Sequence, residues 1–273
     1  MILLSLMILS AEPAYKGRSL SSWLADLETT LPSTYRDAVV ALHEMAGPSL
    51  PYLVGMLQSK DSDLRVRLME LAARQDVIHF HFLPASVKRE RALLAFEALG
   101  QAAEPAAPKL ASLIAKGRDD GDLSRVLTRI GPGAALPLAK ELHNKDKVIR
   151  NKVARLLECI NYGADETAIA GLLKCLKDKD ANVRNSVAHA LGKIGREPAL
   201  VVPALIENLD DPNVEVRRTA AYALGKFENR ANEAVPVLLK LTTDRDGRTR
   251  TAANVALSQI ALGAAEKVED FKP

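Results

Sequence analysis

Val183–Gly192 reads Val-Arg-Asn-Ser-Val-Ala-His-Ala-Leu-Gly, and the same ten-residue pattern occurs three more times in the chain. The other copies begin at Ile149, Val216 and Thr249, so the second residue of every copy is an arginine. A leucine follows seven positions after each arginine. The arginines are separated by 34, 33 and 33 residues, and they are Arg150, Arg184, Arg217 and Arg250. A period of this length indicates a protein built from repeats.

Each repeat is predicted to be a pair of helices. Val183, Val187 and Leu191 recur at helical spacing. A shorter apolar segment precedes each copy and often begins with proline, as in 203–209 and 236–241. Asp and Asn residues lie in the connecting turns, where they can cap the second helix. We expect an all-α fold, a right-handed α-solenoid of about seven helical hairpins spanning residues 33–262. Weaker copies of the second helix are predicted at 35–45, 63–73, 89–100 and 122–130.

Composition supports thin layers of packed helices and gives little indication of a charged ligand. Aromatic residues make up 4% of the chain, whereas Ala and Leu, which favour helices, are frequent. Lys and Arg total 37 and Asp and Glu total 34, a balance that does not by itself indicate a nucleic-acid or membrane-surface protein. Cys159 and Cys175 offer no disulfide framework, and we expect both to be small core residues. No later segment is apolar enough to be transmembrane.

The first fourteen residues allow two interpretations. Met1–Ala11 is an apolar run of signal-peptide length, with small residues at Ser10, Ala11 and Ala14 that suit a peptidase. The basic segment that usually precedes such a run is missing, since the first lysine is Lys16. The alternative is an apolar helix packed on the first repeat of a cytoplasmic protein. We expect an exported, periplasmic or extracellular chain, with a capping helix and linker over 15–32 and a tail at 263–273.

The helical pair, with an Asp before a Val-Arg-x-x-Ala-x-x-Ala-Leu-Gly helix, resembles the HEAT repeat, particularly the short bacterial phycobilisome-lyase-like variety. The resemblance covers roughly residues 33–262. It implies hydrogen-bonded ladders between an acidic column and the arginine column of successive repeats. Asn213 departs from the acidic column, and Asp211 is the candidate to replace it. The opening Tyr15–Leu24 is also similar to bacterial HEAT proteins that are predicted to be exported. The implied ladder residues are Asp146, Arg150, Asp180, Arg184, Arg217, Asp246 and Arg250.

Candidate catalytic and metal sites are weak. His79 and His81 alternate as a metal pair does, but no third ligand lies nearby in the sequence, so a solvated break in the solenoid is the simpler interpretation. His189 has no accompanying nucleophile motif. The acidic pairs 119–120 and 210–211 fall in interhelical turns, where capping explains them. We therefore expect no cofactor, no metal and no enzymatic activity.

Positions one, five and nine after the arginines are predicted to point outward on the second helices, which line the concave side of a HEAT solenoid. They form a polar, moderately basic stripe: Asn151, Arg155, Asn185, His189, Lys193, Arg218, Tyr222 and Lys226, continued by Thr251, Val255 and Gln259. We expect a monomeric scaffold whose stripe binds an acidic or extended segment of a protein that the sequence does not identify. A merely solvated face is the competing interpretation. The alternative functions are a nucleic-acid-binding or DNA-repair-like solenoid and an accessory bilin-lyase-like protein.

Overall fold

The computed structural model describes residues 12–63, 66–67, 83–118, 121–160 and 166–269. Contacts between Cα atoms divide the chain into two compact units. The first unit comprises residues 1–110 and 119–130, and the second comprises residues 111–118 and 131–273. The described parts of both units are helical apart from one short β-hairpin, which confirms the predicted fold class.

The first unit opens with a β-hairpin and a short helix. Strands β1 (Ala14–Tyr15) and β2 (Arg18–Ser19) pair antiparallel, with Ala14 opposite Ser19, and helix α1 (Leu20–Asp26) follows directly. The indole nitrogen of Trp23, a buried residue of α1, donates a hydrogen bond to the Tyr15 carbonyl at 3.2 Å. The Arg18 guanidinium lies 3.9 Å from the centre of the Trp23 ring. The hairpin is thereby fixed to α1, which lies within the predicted capping helix and linker at 15–32.

The remaining helices of the first unit pack around one central helix. The helices are α2 (Pro32–Glu44), α3 (Ala46–Leu57), α4 (Ala85–Leu99), a 3-10 helix (Gly100–Ala106), α5 (Ala107–Ala115) and α6 (Asp122–Ile130). Only the residues of α5 up to Leu110 belong to the first unit. Helix α4 contacts α2, α3 and α6, and α1 packs on α2. The second helix predicted at 63–73 lies almost wholly outside the described residues.

The second unit contains four consecutive helical hairpins. Its helices are α7 (Ala135–Lys140), α8 (Lys147–Ile160), α9 (Glu166–Cys175), α10 (Ala181–Ile194), α11 (Pro198–Glu207), α12 (Val214–Gly225), α13 (Val235–Leu241) and α14 (Gly247–Glu269). Helices α7 and α8, α9 and α10, α11 and α12, and α13 and α14 form the hairpins. The second helices α8, α10, α12 and α14 pack side by side in that order. This stack presents the face that carries the predicted stripe.

Small and apolar side chains fill the stack. The leucines seven positions after the first three arginines, Leu157, Leu191 and Leu224, are buried between neighbouring hairpins. Gly192 and Gly225 lie where adjacent second helices come closest, since a Cβ at either residue would meet the Cα of an alanine on the next helix. No described helix is both long enough and apolar enough to cross a membrane.

Candidate functional site

The predicted stripe lies on the second helices of the second unit, and its members differ in exposure. Arg155, His189, Lys193, Tyr222 and Lys226 are exposed. The positions next to the ladder arginines are half-buried, namely Asn151, Asn185 and Arg218. The stripe therefore has an inner row that is partly covered and an outer row in solvent.

The inner row contains two hydrogen-bond acceptors without a partner. The side-chain oxygens Oδ1 of Asn151 and Asn185 are buried, and neither has a hydrogen-bond partner within the described part of the chain. The two residues occupy the same position in successive repeats, each directly after a ladder arginine. A buried acceptor without a donor is destabilising, typically by about 1–3 kcal/mol. Both oxygens are therefore buried acceptors whose hydrogen-bonding capacity is unused within the described residues.

Glu158 joins the first two second helices at the surface. Nδ1 of His189 lies 2.9 Å from Oε2 of Glu158, which connects α10 to α8. Glu158 occupies the position that Gly192 and Gly225 hold in the next two repeats. The sequence contained this signal, because a carboxylate interrupts a column of glycines, but the acid was not among the predicted site residues. His189 is thus a member of an ion pair or hydrogen bond across repeats.

Arg218 is already engaged by an acid of its own helix. Its guanidinium pairs with the Glu215 carboxylate three residues earlier on α12. The other basic residues of the stripe, Arg155, Lys193 and Lys226, have no ion pair within the residues that the structure describes. The stripe consequently keeps a net positive charge on its outer row.

Arginines of successive repeats form a ladder with aspartates of the next repeat. Arg150 donates from Nε and Nη2 to both carboxylate oxygens of Asp178, at 2.6 and 2.8 Å. Arg184 binds Asp211 in the same way at 2.7 and 2.8 Å, and Arg217 binds Asp244 at 2.9 and 3.1 Å. Such bidentate pairs are among the strongest hydrogen bonds in proteins. Arg150, Arg184 and Arg217 thus hold each repeat to its successor.

The acidic column of the ladder differs from the prediction. Asp146, Asp180 and Asp246, which the family resemblance implied as ladder members, instead accept hydrogen bonds from backbone amides at the start of their own second helices. Asn213 does the same for α12. The acids that meet the arginines lie two residues earlier in each turn, and only Asp211 among them was anticipated. The physical reason is that the capping residue turns its side chain toward its own helix.

Electrostatics at the ladder favours the charged forms. Burial is the largest single influence on the pKa of Asp178 and Asp211 and raises it, but the hydrogen bonds from Arg150 and Arg184, the hydrogen bonds from backbone amides and the arginine charges together outweigh burial and lower the pKa of both carboxyls. At Asp244 the hydrogen bond from Arg217 is the largest cause of a lowered pKa. The pairs are therefore fully ionised at neutral pH.

Two cavities in the described part of the first unit are not lined by a catalytic constellation. One cavity of ≈ 390 Å³ is lined mainly by apolar residues of α3 and of the segment around Pro105, with Gln58 and Lys109 as its polar members. A second, more polar cleft lies between α4 and α6, where Arg125 pairs with Glu97. No group of three or more metal-binding side chains occurs among the described residues, and His79 and His81 lie outside them. The acidic pair 119–120 also lies outside the described residues, and Asp211 of the other pair belongs to the ladder.

The cysteines are not equivalent. Cys175 is buried, and its thiol lies 3.5 Å from the Leu142 carbonyl oxygen. Cys159 is exposed, which contradicts the expectation that it is a core residue. Cys159 stands nine positions after Arg150, in the same column as Lys193 and Lys226, and this column faces solvent.

Comparison with known proteins places these features in context. A family model described as HEAT repeats matches residues 135–202 and 202–271. No curated protein sequence matches the chain. Among solved structures, the chain is similar to a computationally designed armadillo repeat protein for modular peptide recognition, at 18% identity over 88% of this chain and 99% of that one, with a TM-score of 0.43. The chain is also similar to importin beta, at 15% identity over 89% of this chain and 41% of that one, with a TM-score of 0.48. It is similar to human deoxyhypusine hydroxylase at 18% identity over 89% of this chain and 84% of that one, with a TM-score of 0.40.

Proposed function

The chain belongs to the HEAT-repeat family, and we propose that it is a non-catalytic scaffold whose stripe on the second helices of the second unit binds an extended, acidic segment of another protein. The observation that carries the proposal is the pair of unsatisfied acceptors on Asn151 and Asn185, one repeat apart and bordered by basic side chains.

The spacing of the acceptors suits an extended backbone. Packed helices lie about 8–10 Å apart, and a chain in the polyproline II conformation has three residues per turn and rises about 3.1 Å per residue. Such an extended segment, crossing the second helices, presents a backbone N–H to the same side about every third residue and therefore once per repeat. The proposal requires the buried Oδ1 atoms of Asn151 and Asn185 to turn toward the surface, where those donors can meet them.

The charge of the stripe supports an acidic partner. The stripe contains four basic residues, Arg155, Lys193, Arg218 and Lys226. None of the eight residues from Asn151 to Lys226 that form the stripe is acidic. The nearby acids Glu158 and Glu215 are each engaged by a stripe residue. Opposite charges across an interface increase the association rate and select partners. Tyr222, which is 41% exposed, adds the kind of aromatic anchor that often dominates interface energetics.

Site-directed photo-crosslinking in the native cell tests the proposal. A photo-crosslinking amino acid in place of Tyr222 is expected to capture a protein with an acidic segment. The matched control places the same amino acid at Leu200, which is exposed on the first helix α11. Equal capture at both positions, or capture of nucleic acid at Tyr222, would contradict the proposal and would, in the second case, favour the nucleic-acid alternative.

The captured partner then allows a quantitative test with purified proteins. Replacing Arg218 and Tyr222 by alanine is expected to weaken its binding by on the order of tenfold or more, because aromatic and arginine anchors contribute most of the binding energy. Leu200→Ala serves as the control substitution on the opposite arm of the hairpin. Unaltered affinity of the Arg218 and Tyr222 variants, with unaltered thermal unfolding, would place the interface elsewhere.

Export is part of the same proposal. The predicted signal segment precedes a β-hairpin and helix that are ordered by their own hydrogen bonds from Glu12 onward. A partner in the cell envelope or outside the cell would then be expected, and a cytoplasmic location would favour the nucleic-acid alternative.

A further inference from the structure

The last arginine of the ladder, unlike the others, is not paired with a carboxylate among the described side chains. Arg150, Arg184 and Arg217 each present Nε and Nη2 to an aspartate of the following repeat. Arg250 occupies the same position on α14, but no described side chain accepts from its Nε or Nη2. The described ladder therefore ends in a guanidinium with an open hydrogen-bonding edge.

The guanidinium of Arg250 is nevertheless held in the orientation used for pairing. Its Nη1 donates to the carbonyl oxygens of Asp244 and Arg245, at 2.9 and 3.2 Å. Nη1 of Arg150 makes the equivalent pair of bonds to Asn144 and Lys145, at 2.9 and 3.0 Å. Gly247 adds no side chain over the open edge, where a Cβ would lie 3.4 Å from Nη2 of Arg250. The edge is thus preorganised, so that little side-chain freedom remains to be lost when an anion binds.

The terminal hairpin that carries Arg250 has a basic exposed surface. Lys240, Arg245 and Arg248 are exposed on the same terminal hairpin. The acids of its turn are engaged, Asp244 by Arg217 and Asp246 by the amide and hydroxyl of Thr249. Two copies of the chain meeting through this end would bring like charges together, which is unfavourable. An acidic partner is complementary to it.

The outer face of α14 is unsuited to a further complete repeat. Ala154, Ala188 and Ala221 are buried four positions after their arginines, whereas the equivalent residue of α14 is the exposed Asn254. Leu257 is likewise only half-buried, in a column where the other leucines are buried. A polar outer face is typical of a terminal repeat. A short segment that brings a carboxylate, and not a large apolar surface, fits this end.

We propose that Arg250 is the anchor of a second binding site, which accepts the aspartate side chain of a short acidic segment in a partner protein. The aspartate would take the place that Asp178, Asp211 and Asp244 take on the preceding arginines. The site is separate from the stripe and uses the end of the stack instead of the exposed rows of the second helices.

The chain itself supplies a probe for the site. A synthetic peptide of residues 205–216 contains Asp211, which in the folded chain fills the equivalent position on Arg184. We expect this peptide, at millimolar concentration, to shift the NMR signal of the Arg250 Nε–Hε group saturably in the full chain. The same peptide with Asp211→Asn is expected to bind on the order of tenfold more weakly, because a charge-assisted bidentate contact is lost.

Two substitutions in the protein separate the anchor from general charge. In both variants binding is followed through the backbone amide signal of Gly247, which lies beside the guanidinium of Arg250. Arg250→Lys keeps the charge but loses the planar fork, and it is expected to abolish the difference between the Asp and Asn peptides. Arg245→Lys, on an exposed neighbour, is expected to preserve that difference. Absence of binding, equal binding of both peptides, or a difference that survives in Arg250→Lys would overturn the proposal. Tighter binding of a phosphoserine peptide than of the Asp peptide would replace the aspartate by a phosphate as the ligand and would overturn this assignment as well. Thermal unfolding of both variants serves as the control for folding.

Discussion

Gly192 of α10 lies directly against Ala223 of α12, so that a Cβ on Gly192 would stand 2.7 Å from both the Cα and the Cβ of Ala223. Contacts that short do not occur between carbon atoms, and the two helices can approach this closely only because position 192 has no side chain. The same arrangement recurs one repeat later between Gly225 and Ala256. Close approach of second helices sets the spacing of the stripe residues that they carry.

Gly192→Ala is therefore expected to destabilise the chain by about 1–3 kcal/mol, the usual cost of forcing extra volume into a packed core. Urea unfolding followed by circular dichroism measures the change. Gly55→Ala is the matched control, because a Cβ at Gly55 of α3 meets nothing within 4 Å. That substitution should be neutral or stabilising by about 0.5–1 kcal/mol through helix propensity. Equal effects at both positions would mean that α10 and α12 are not in such close contact.

Arg184→Ala is expected to cost about 3–5 kcal/mol, since it leaves a buried carboxylate without its partner. The side chains of Arg184 and Asp211 are only 14% and 7% exposed. Arg250→Ala removes an arginine at the equivalent position of the last repeat, where no described carboxylate is paired with it. This variant is expected to change the free energy of unfolding by no more than about 0.5 kcal/mol. Urea unfolding of the two variants compares them. Similar losses for both would show that the interrepeat pairs contribute little.

Acid should weaken the second unit through the ladder. The pKa values of Asp178, Asp211 and Asp244 are lower in the folded chain than their ordinary value, so the unfolded chain binds protons first. The stability that these groups contribute is complete above about pH 5 and is lost as the pH falls through the folded pKa values, below about 3.9. Urea unfolding across this range is expected to show the loss. The Asp211→Asn variant should have a lower free energy of unfolding than the unchanged chain at neutral pH, but this free energy should fall less on acidification. An equal fall in both proteins would show that Asp211 does not contribute to the acid sensitivity.

Thiol labelling distinguishes the two cysteines. Burial raises the pKa of the Cys175 thiol to about 11, with a further increase from Asp178 that Arg150 partly offsets. A maleimide or disulfide reagent at mildly alkaline pH is expected to label Cys159 rapidly and Cys175 only after unfolding, because the thiolate is the reactive form. Mass spectrometry of the labelled peptides measures the rates. Equal rates in the folded chain would contradict the burial of Cys175.

The proposed export leads to a prediction of the cleavage site, because Glu12 and Pro13 make hydrogen bonds that the folded chain uses. The Glu12 carboxylate accepts from the Ser21 amide, and the Pro13 carbonyl accepts from the Leu20 amide at 2.7 Å, so both satisfy free donors at the start of α1. Cleavage after Ala14 would remove both, whereas cleavage after Ala11 retains them. Intact mass of the fractionated native protein is expected to show Glu12 as the first residue. An uncleaved Met1 in the cytoplasm would exclude export.

The repeat and the helical hairpins were predictable because apolar spacing alone determines which helix faces are buried. The ladder arginines were visible as a column for the same reason. Their acidic partners were not, since the turn between Leu176 and Ala181 offers both Asp178 and Asp180, and backbone geometry decides which one turns outward. Asp211 indicated the correct position, because Asn213 cannot supply a carboxylate and Asp211 is the nearest acid in that turn.

The site was predictable only as a set of outward positions. The spacing of the stripe followed from helix periodicity, whereas the unpaired oxygens of Asn151 and Asn185 and the contact of His189 with Glu158 depend on side-chain orientation across two helices. The exposure of Cys159 was also not predicted, because cysteine is a small apolar residue and was assigned to the core, although its column on the second helices faces solvent. The open edge of Arg250 became visible only beside the three occupied ones.

The register of the ladder has a consequence for how such a chain can change length. Asp178 and Asp211 are 33 residues apart, and each stands at the same point of its repeat. Loss of residues 178–210 in a recombination event would bring Asp211 opposite Arg150, and gain of such a unit would insert one new ladder arginine together with one new ladder aspartate. Whole repeats can therefore be deleted or duplicated without leaving a buried ion unmatched, whereas a gain or loss out of register cannot.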